Sequence, residues 1–166
     1  EVKHRGINRK ILLRIIKKLE PYGKIFISSE GNLPEYLKQY KIKVPKNKMH
    51  DFMAFADLFI GDSQTMCAEA GLLGTPFIRI NDFVGKIRYL EDLEINYEMG
   101  WGVNPNQPQK ILEIIDRVIY DDKIKDQWEL KKSYLFKEKV DLVAWSIDLL
   151  EQFSEDSDIF SKMNYS

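Results

Sequence analysis

The sequence predicts an α/β domain built on a doubly wound, mainly parallel sheet, with helices on both faces of the sheet and a helical carboxyl terminus. Three observations predict it. Short apolar runs at 25–27, 58–60 and 77–80 alternate with segments whose apolar residues recur every three or four positions. The run Leu58-Phe59-Ile60 is too uniformly apolar to leave one face in water, as expected of a central strand covered on both sides. Strands that alternate with helices must also run parallel, because parallel neighbours need crossover connections.

Taken in order, Ile11, Leu12, Ile15, Ile16 and Leu19 stand at helical spacing with Lys and Arg between them, which predicts a helix over 8–20 ended by Pro21 and Gly23. Ile25, Phe26 and Ile27 form a strand that opens into the turn-rich Ser28-Ser29-Glu30-Gly31. Pro34 suits the first turn of a short helix reaching Tyr40, and 42–44 reads as another short strand. Met49, Phe52, Met53 and Ala56 mark the inner face of the next helix. Ser63 then caps a helix over 63–73, Gly74 ends it, Pro76 blocks its continuation, and 77–80 is a buried strand. A short helix near 86–93 and a strand over 99–103 follow. Helices over 107–120, 123–136 and 139–153 finish the fold, the last with Val140, Val143, Ala144, Ile147 and Leu150 on one face.

Residues 1–153 are expected to form one domain and 154–166 a polar tail. The 166 residues, 44% apolar and 31% charged, have the material for one core and a well-solvated surface. Lys and Arg number 25 against 26 Asp and Glu, so no positive field favours a nucleic acid partner. The lone cysteine, Cys67, excludes an internal disulfide and reads as a small buried residue. No apolar run approaches the ~18 residues of a membrane span and no signal-peptide pattern opens the chain, so a cytoplasmic protein is expected. The opening at Glu1 rather than Met reads as an excised piece of a longer chain.

In open α/β sheets ligands bind beyond the carboxyl ends of the strands, which directs attention to the residues after Ile27, Ile60 and Ile80. Gly61-Asp62-Ser63-Gln64-Thr65 joins a strand to a helix, and sets hydroxyls and unpaired N–H groups where the helix dipole favours a phosphate. Glu69, six residues beyond Ser63, is placed to bond ribose hydroxyls away from the phosphates. The plainer reading leaves Ser63 as a cap and Glu69 as a solvated side chain. Arg5 reads either as a phosphate partner or as part of a solvated terminus. His50 faces either the site or solvent, Glu30 belongs either to a base or sugar contact or to an ordinary turn, and Asn81, with Arg79 and Asp82, meets either a sugar or water. Glu91, Asp92 and Glu94 lack the spacing of a calcium loop, and neither a metal nor a cofactor is expected.

The segment Met49-His50-Asp51-Phe52 through Ala56-Asp57-Leu58-Phe59-Ile60, followed by Asp62-Ser63, Glu69-Ala70, Gly74 and Pro76, resembles the carboxyl-terminal domain of non-hydrolysing UDP-N-acetylglucosamine 2-epimerases. His4-Arg5 with Asn8 is similar to the His-Arg-x-x-Asn that opens that domain. The wider group is the GT-B superfamily, with its Rossmann-like halves and its UDP-sugar glycosyltransferases. Phe26-Ile27-Ser28-Ser29-Glu30 and Leu73-Gly74-Thr75-Pro76 also resemble an uncharacterised prokaryotic domain of unknown function in that superfamily. The resemblance covers about 1–120 and is strongest over 49–76. It implies that Arg5 and the Ser63-Gln64-Thr65 turn contact a diphosphate and Glu69 a ribose, with a missing amino-terminal domain of the same chain supplying the acceptor site. Gln64-Thr65 stands where the epimerases carry two glycines, and Asn81-Asp82-Phe83-Val84-Gly85 replaces their Thr-Glu-Arg-Pro-Glu. The resemblance therefore implies nucleotide binding more directly than epimerase chemistry. It leaves three readings: a GT-B glycosyltransferase acting on a UDP-sugar, an epimerase-like enzyme, and a non-catalytic binding module. It further implies that the strand at 24–28 and the strand at 58–60 flank a central position rather than pairing with each other.

Overall fold

The computed structural model describes residues 6–29 and 31–155. The chain divides into two compact units, Glu1–Lys132 and Ser133–Ser166. Unit 1 begins with helix α1 (Arg9–Leu19), which starts where Asn8 accepts a hydrogen bond from Ile11 N at 3.0 Å and ends with Lys17 and Lys18 against the negative end of its dipole. Ile11, Ile15 and Ile16 are its buried stripe. The Tyr22 hydroxyl meets that of Tyr120 at 2.6 Å, and Lys18 pairs with Asp116, both ties running to the helix over Pro108–Ile119 or the residue that follows it.

The expected strands at 25–27 and 42–44 shrink to one parallel bridge, Ile27 to Lys41, held by Ile27 N to Tyr40 O at 2.7 Å and Ile42 N to Ile27 O at 3.0 Å. Phe26 is half exposed and only one neighbouring segment is available among the described residues, so nothing extends the ladder. Between them the helix after Pro34 is of the tighter three-residue kind over Glu35–Tyr40 and buries Leu37.

Helix α2 (Met49–Ala54) leads into the sheet, whose strands β1 (Phe59–Gly61), β2 (Phe77–Ile80) and β3 (Gly100–Val103) are all parallel and lie in the order β1-β2-β3. In register, Phe59, Phe77 and Gly100 form one row and Gly61, Arg79 and Gly102 another. The centre is β2, with all four residues buried, and not β1. Among the described residues β1 pairs on one side only, which leaves its three residues half-buried in spite of their apolar character. Nor does the Ile27 segment pair with β1.

Helix α3 (Gln64–Leu73) is the crossover from β1 to β2. It stops because Gly74 takes the left-handed conformation (φ 87°), letting Thr75 N reach Ala70 O at 2.9 Å. The Thr75 hydroxyl then donates to Met53 O at 2.7 Å and ties α3 to α2. Beyond β2 come α4 (Arg88–Glu91), which runs into a wide turn over Asp92–Asn96, then β3 and α5 (Pro108–Ile119), with Pro108 in its first turn and Ile111, Ile114, Ile115 and Val118 buried. Helix α6 (Ile124–Glu138) places Trp128 against the sheet, its indole N–H donating to Met99 O at 2.7 Å. The structure is thus a mixed α/β fold, a three-stranded parallel sheet flanked by helices.

In unit 2, Asp141 caps helix α7 (Leu142–Glu155) by accepting from Val143 N at 2.9 Å and Ala144 N at 3.1 Å. The cap explains why this helix begins later than the apolar spacing predicts. Val140, Val143, Ile147 and Leu150, expected to form a packed stripe, are exposed. No helix among the described residues is long and apolar enough to cross a membrane.

Candidate functional site

The carboxyl end of β1 runs directly into α3, so the loop between them sits at the edge of the sheet where parallel folds place ligands. Ser63 has extended backbone geometry (φ −72°, ψ 122°) and its hydroxyl accepts from Met66 N at 3.4 Å, so it is the cap the sequence predicts. The N–H groups of Gln64 and Thr65 lie in the first turn and have no carbonyl a turn behind them. That turn carries no acidic side chain, which leaves the positive end of α3 uncompensated from within the helix. Ser63 and Thr65 are exposed and Gln64 is half-buried.

Glu69 is on the same helix, one and a half turns further on, and is brought together with His50 of α2: His50 Nε2 lies 3.2 Å from Glu69 Oε2. Their side chains keep 64% and 36% of their exposure, so the pair is open to a ligand. His50 thus lies toward α3 with most of its side chain in solvent.

Asp62 is held from two directions. Its carboxylate accepts from Ile7 N at 3.3 Å, and its backbone carbonyl accepts from Asn81 Nδ2 at 3.1 Å. Gly6 approaches so closely that a β-carbon there would stand 2.3 Å from Asp62 Oδ2. The segment leading into α1 is therefore placed beside the α3 end of the site. Arg5 and Glu30, and His4 beside Arg5, lie outside the described residues. Ser29 turns into its own loop, its hydroxyl accepting from Gly31 N at 3.3 Å.

Asn81 and Arg79 are found in neither of the settings the sequence offered. Asn81 is 4% exposed, its Oδ1 accepts from Arg79 and from Phe83 N, and its Nδ2 donates to Asp62 O. Arg79 is wholly buried and makes a two-pronged pair with Glu94, Nε to Oε1 at 2.6 Å and a terminal nitrogen to Oε2 at 2.9 Å. Sequence reasoning weighed Glu94 only as a calcium ligand and missed it as the partner of Arg79. The signal for it is the glycine on either side of Arg79 in register, and that appears only once the strands are aligned.

Cys67 lies under this loop, its thiol pushed up to about 12 because burial penalises the thiolate more than nearby Arg79 favours it. It is a structural thiol. No cluster of three or more metal-ligating side chains occurs among the described residues. In comparison with known proteins, no family model, curated protein or solved structure matches this chain.

Proposed function

We propose that this chain is the nucleotide-binding half of a glycosyltransferase of GT-B type, taking a nucleoside diphosphate sugar, a UDP-sugar first, and that its sheet is one part of a doubly wound, Rossmann-like domain. The observation that carries the reading is the pairing of an uncompensated helix amino end at Ser63-Gln64-Thr65 with a carboxylate, Glu69, further along the same helix. The first suits a diphosphate and the second a ribose diol, since carboxylates accept from hydroxyls and helix amino ends attract anions. Of these residues, Ser63 and Glu69 also belong to the segment that resembles the epimerase domain, which adds support, whereas Gln64 and Thr65 stand where that family carries two glycines.

In the proposed reaction the bond between the anomeric carbon and the diphosphate oxygen breaks and an acceptor oxygen takes its place, while the acceptor proton passes to a base outside this domain. Negative charge grows on the departing diphosphate. Fixed N–H dipoles at Gln64 and Thr65 meet that charge without having to reorganise, which lowers the barrier more than the same groups would in water. Glu69 holds the ribose and so aligns the phosphate with the helix end.

The test is a calorimetric titration of the protein with UDP, alongside thermal protection by the same ligand. Glu69→Ala and Ser63→Gly are expected to weaken binding about 5- to 150-fold each, the equivalent of ~1–3 kcal/mol for a lost hydrogen bond. Glycine is chosen at 63 because it costs only a few tenths of a kcal/mol as a cap, so loss of the hydroxyl is read without loss of the helix. Unchanged affinity in both folded variants refutes the site. Release of UDP only in the presence of an acceptor supports transfer, whereas an epimerised sugar turns the assignment to the epimerase reading and absence of binding to a non-catalytic module.

A further inference from the structure

A charged side chain in the middle strand of a small sheet is a costly choice. Arg79 sits at the third position of β2 with no exposure, and Glu94 opposite it keeps 6%. Such buried pairs add little net stability, because the desolvation of two ions offsets most of their attraction and apolar replacements of similar volume are often as stable or more so. The sheet nevertheless makes room for the pair. Arg79 is flanked in register by Gly61 on β1 and Gly102 on β3. A β-carbon at Gly102 would stand 2.4 Å from Glu94 Oε2, so only glycine there lets the carboxylate reach across β3 to the guanidinium.

What the pair does is geometric. The planar guanidinium has its donors fixed in direction. With Nε and one terminal nitrogen taken by Glu94, the other points at Asn81 Oδ1, 3.2 Å away. Phe83 N donates to the same oxygen at 3.1 Å. Two donors on one atom settle which way the amide faces, and the Nδ2 group must then point at Asp62 O, where it donates at 3.1 Å. Asp62 is itself exposed and immediately precedes the Ser63 cap. An unbroken line of directed hydrogen bonds therefore runs from the wide turn at Asp92–Asn96, through the interior, to the exposed loop that opens α3.

We propose that Glu94, Arg79 and Asn81 are positioning residues, a buried relay that fixes the Asp62–Ser63 loop in the one arrangement that presents the first turn of α3 to a phosphate-bearing ligand. The ligand half of this statement rests on the function proposed above, and the positioning half does not. None of the three residues touches the ligand. Their effect passes through the Asp62 carbonyl, and the tolerance for error at such a site is small, since displacements of about 1 Å can cost on the order of 100-fold in rate.

The test separates positioning from general stability. Asn81→Asp keeps an acceptor for Arg79 and Phe83 N but replaces the donor to Asp62 O with a second acceptor. Arg79→Met combined with Glu94→Leu removes the ions together, leaves no unpaired charge and serves where the first variant folds poorly. In each, ligand-free, the backbone order parameters of Asp62, Ser63 and Gln64 from nitrogen relaxation are expected to fall from the rigid range near ~0.85 toward the flexible range below ~0.6. Those of β2 are expected to stay as they are. UDP affinity is expected to fall at least about tenfold in the same variants. Rigid values at 62–64 in a folded variant, or a loss of order spread evenly over the sheet, overturn the positioning role. A wild-type protein that binds no UDP overturns the nucleotide reading instead, and the relaxation result still decides whether the relay holds the loop.

Discussion

Replacing Gly100 with alanine tests the packing that brings β2 and β3 together beneath the site. A β-carbon at Gly100 would lie 2.6 Å from three ring atoms of Phe77, its neighbour in register, and on the α3 side the ring already sits so close to Gly71 that a β-carbon there would stand 2.9 Å from it. Carbon atoms pack at about 3.5–4.0 Å, so the ring would have to move by roughly 1 Å in a pocket where Phe77 has no exposure at all. Overpacking of this kind costs about 1–3 kcal/mol. Phe77→Ala alone costs about 3–5 kcal/mol through lost burial and the cavity left behind. If the clash is the cause, the double variant places the new methyl group inside that cavity and is no less stable than Phe77→Ala. Independent sites would give a sum of about 4–8 kcal/mol, which exhausts much of the ~5–15 kcal/mol of a typical domain. Urea unfolding of the four proteins at one temperature, with slopes compared, measures the coupling. Additivity to within about 0.5 kcal/mol refutes the reasoning.

Cys67 carries a pH dependence. Its thiol is pushed up to about 12 in the fold against an ordinary value of 9.0, so the unfolded chain releases its proton first. The stability this group contributes is complete below pH 9 and is lost as pH rises toward 12, with about 3 kcal/mol gone by pH 11. The difference in unfolding free energy between the wild type and Cys67→Ala is expected to shrink over that window, and parallel curves would contradict the burial argument. Thr75→Val keeps the shape of a side chain that is 1% exposed but removes the donor to Met53 O. A loss of about 1–3 kcal/mol is expected in the same unfolding assay, and a change within ~0.3 kcal/mol would show that the carbonyl finds another partner.

By itself the sequence determined the features that depend on near neighbours. Helical spacing located α1 and α5, the Ser63 and Gly74 caps set where α3 starts and stops, and the apolar run at 77–80 located the buried strand. Ser63 as a cap and Cys67 as a buried thiol were legible for the same reason, since both follow from position within one helix. Strand rank was not legible. Leu58-Phe59-Ile60 looks more central than Phe77-Ile78-Arg79-Ile80 because it has no charge, yet β2 is the strand with partners on both sides. Hydrophobicity reports what a segment tolerates, whereas pairing decides what surrounds it. The runs at 25–27 and 42–44 show the same limit, being apolar enough for strands but left with a single bridge.

The site divides along that line too. That a loop after β1 opens a helix, with Glu69 one and a half turns on, is sequence information. That His50 lies 3.2 Å from Glu69 depends on how α2 packs on α3, two elements separated by a strand and a turn. The fate of Arg79 and Asn81 depended still more on tertiary structure. Polar residues at the end of a strand look destined for water, and only the register that sets Gly61 and Gly102 beside Arg79, together with the turn that delivers Glu94, turns them inward. A buried charge is stable only when a specific partner arrives from elsewhere in the chain, and that arrival is a property of the fold, not of the residues on either side.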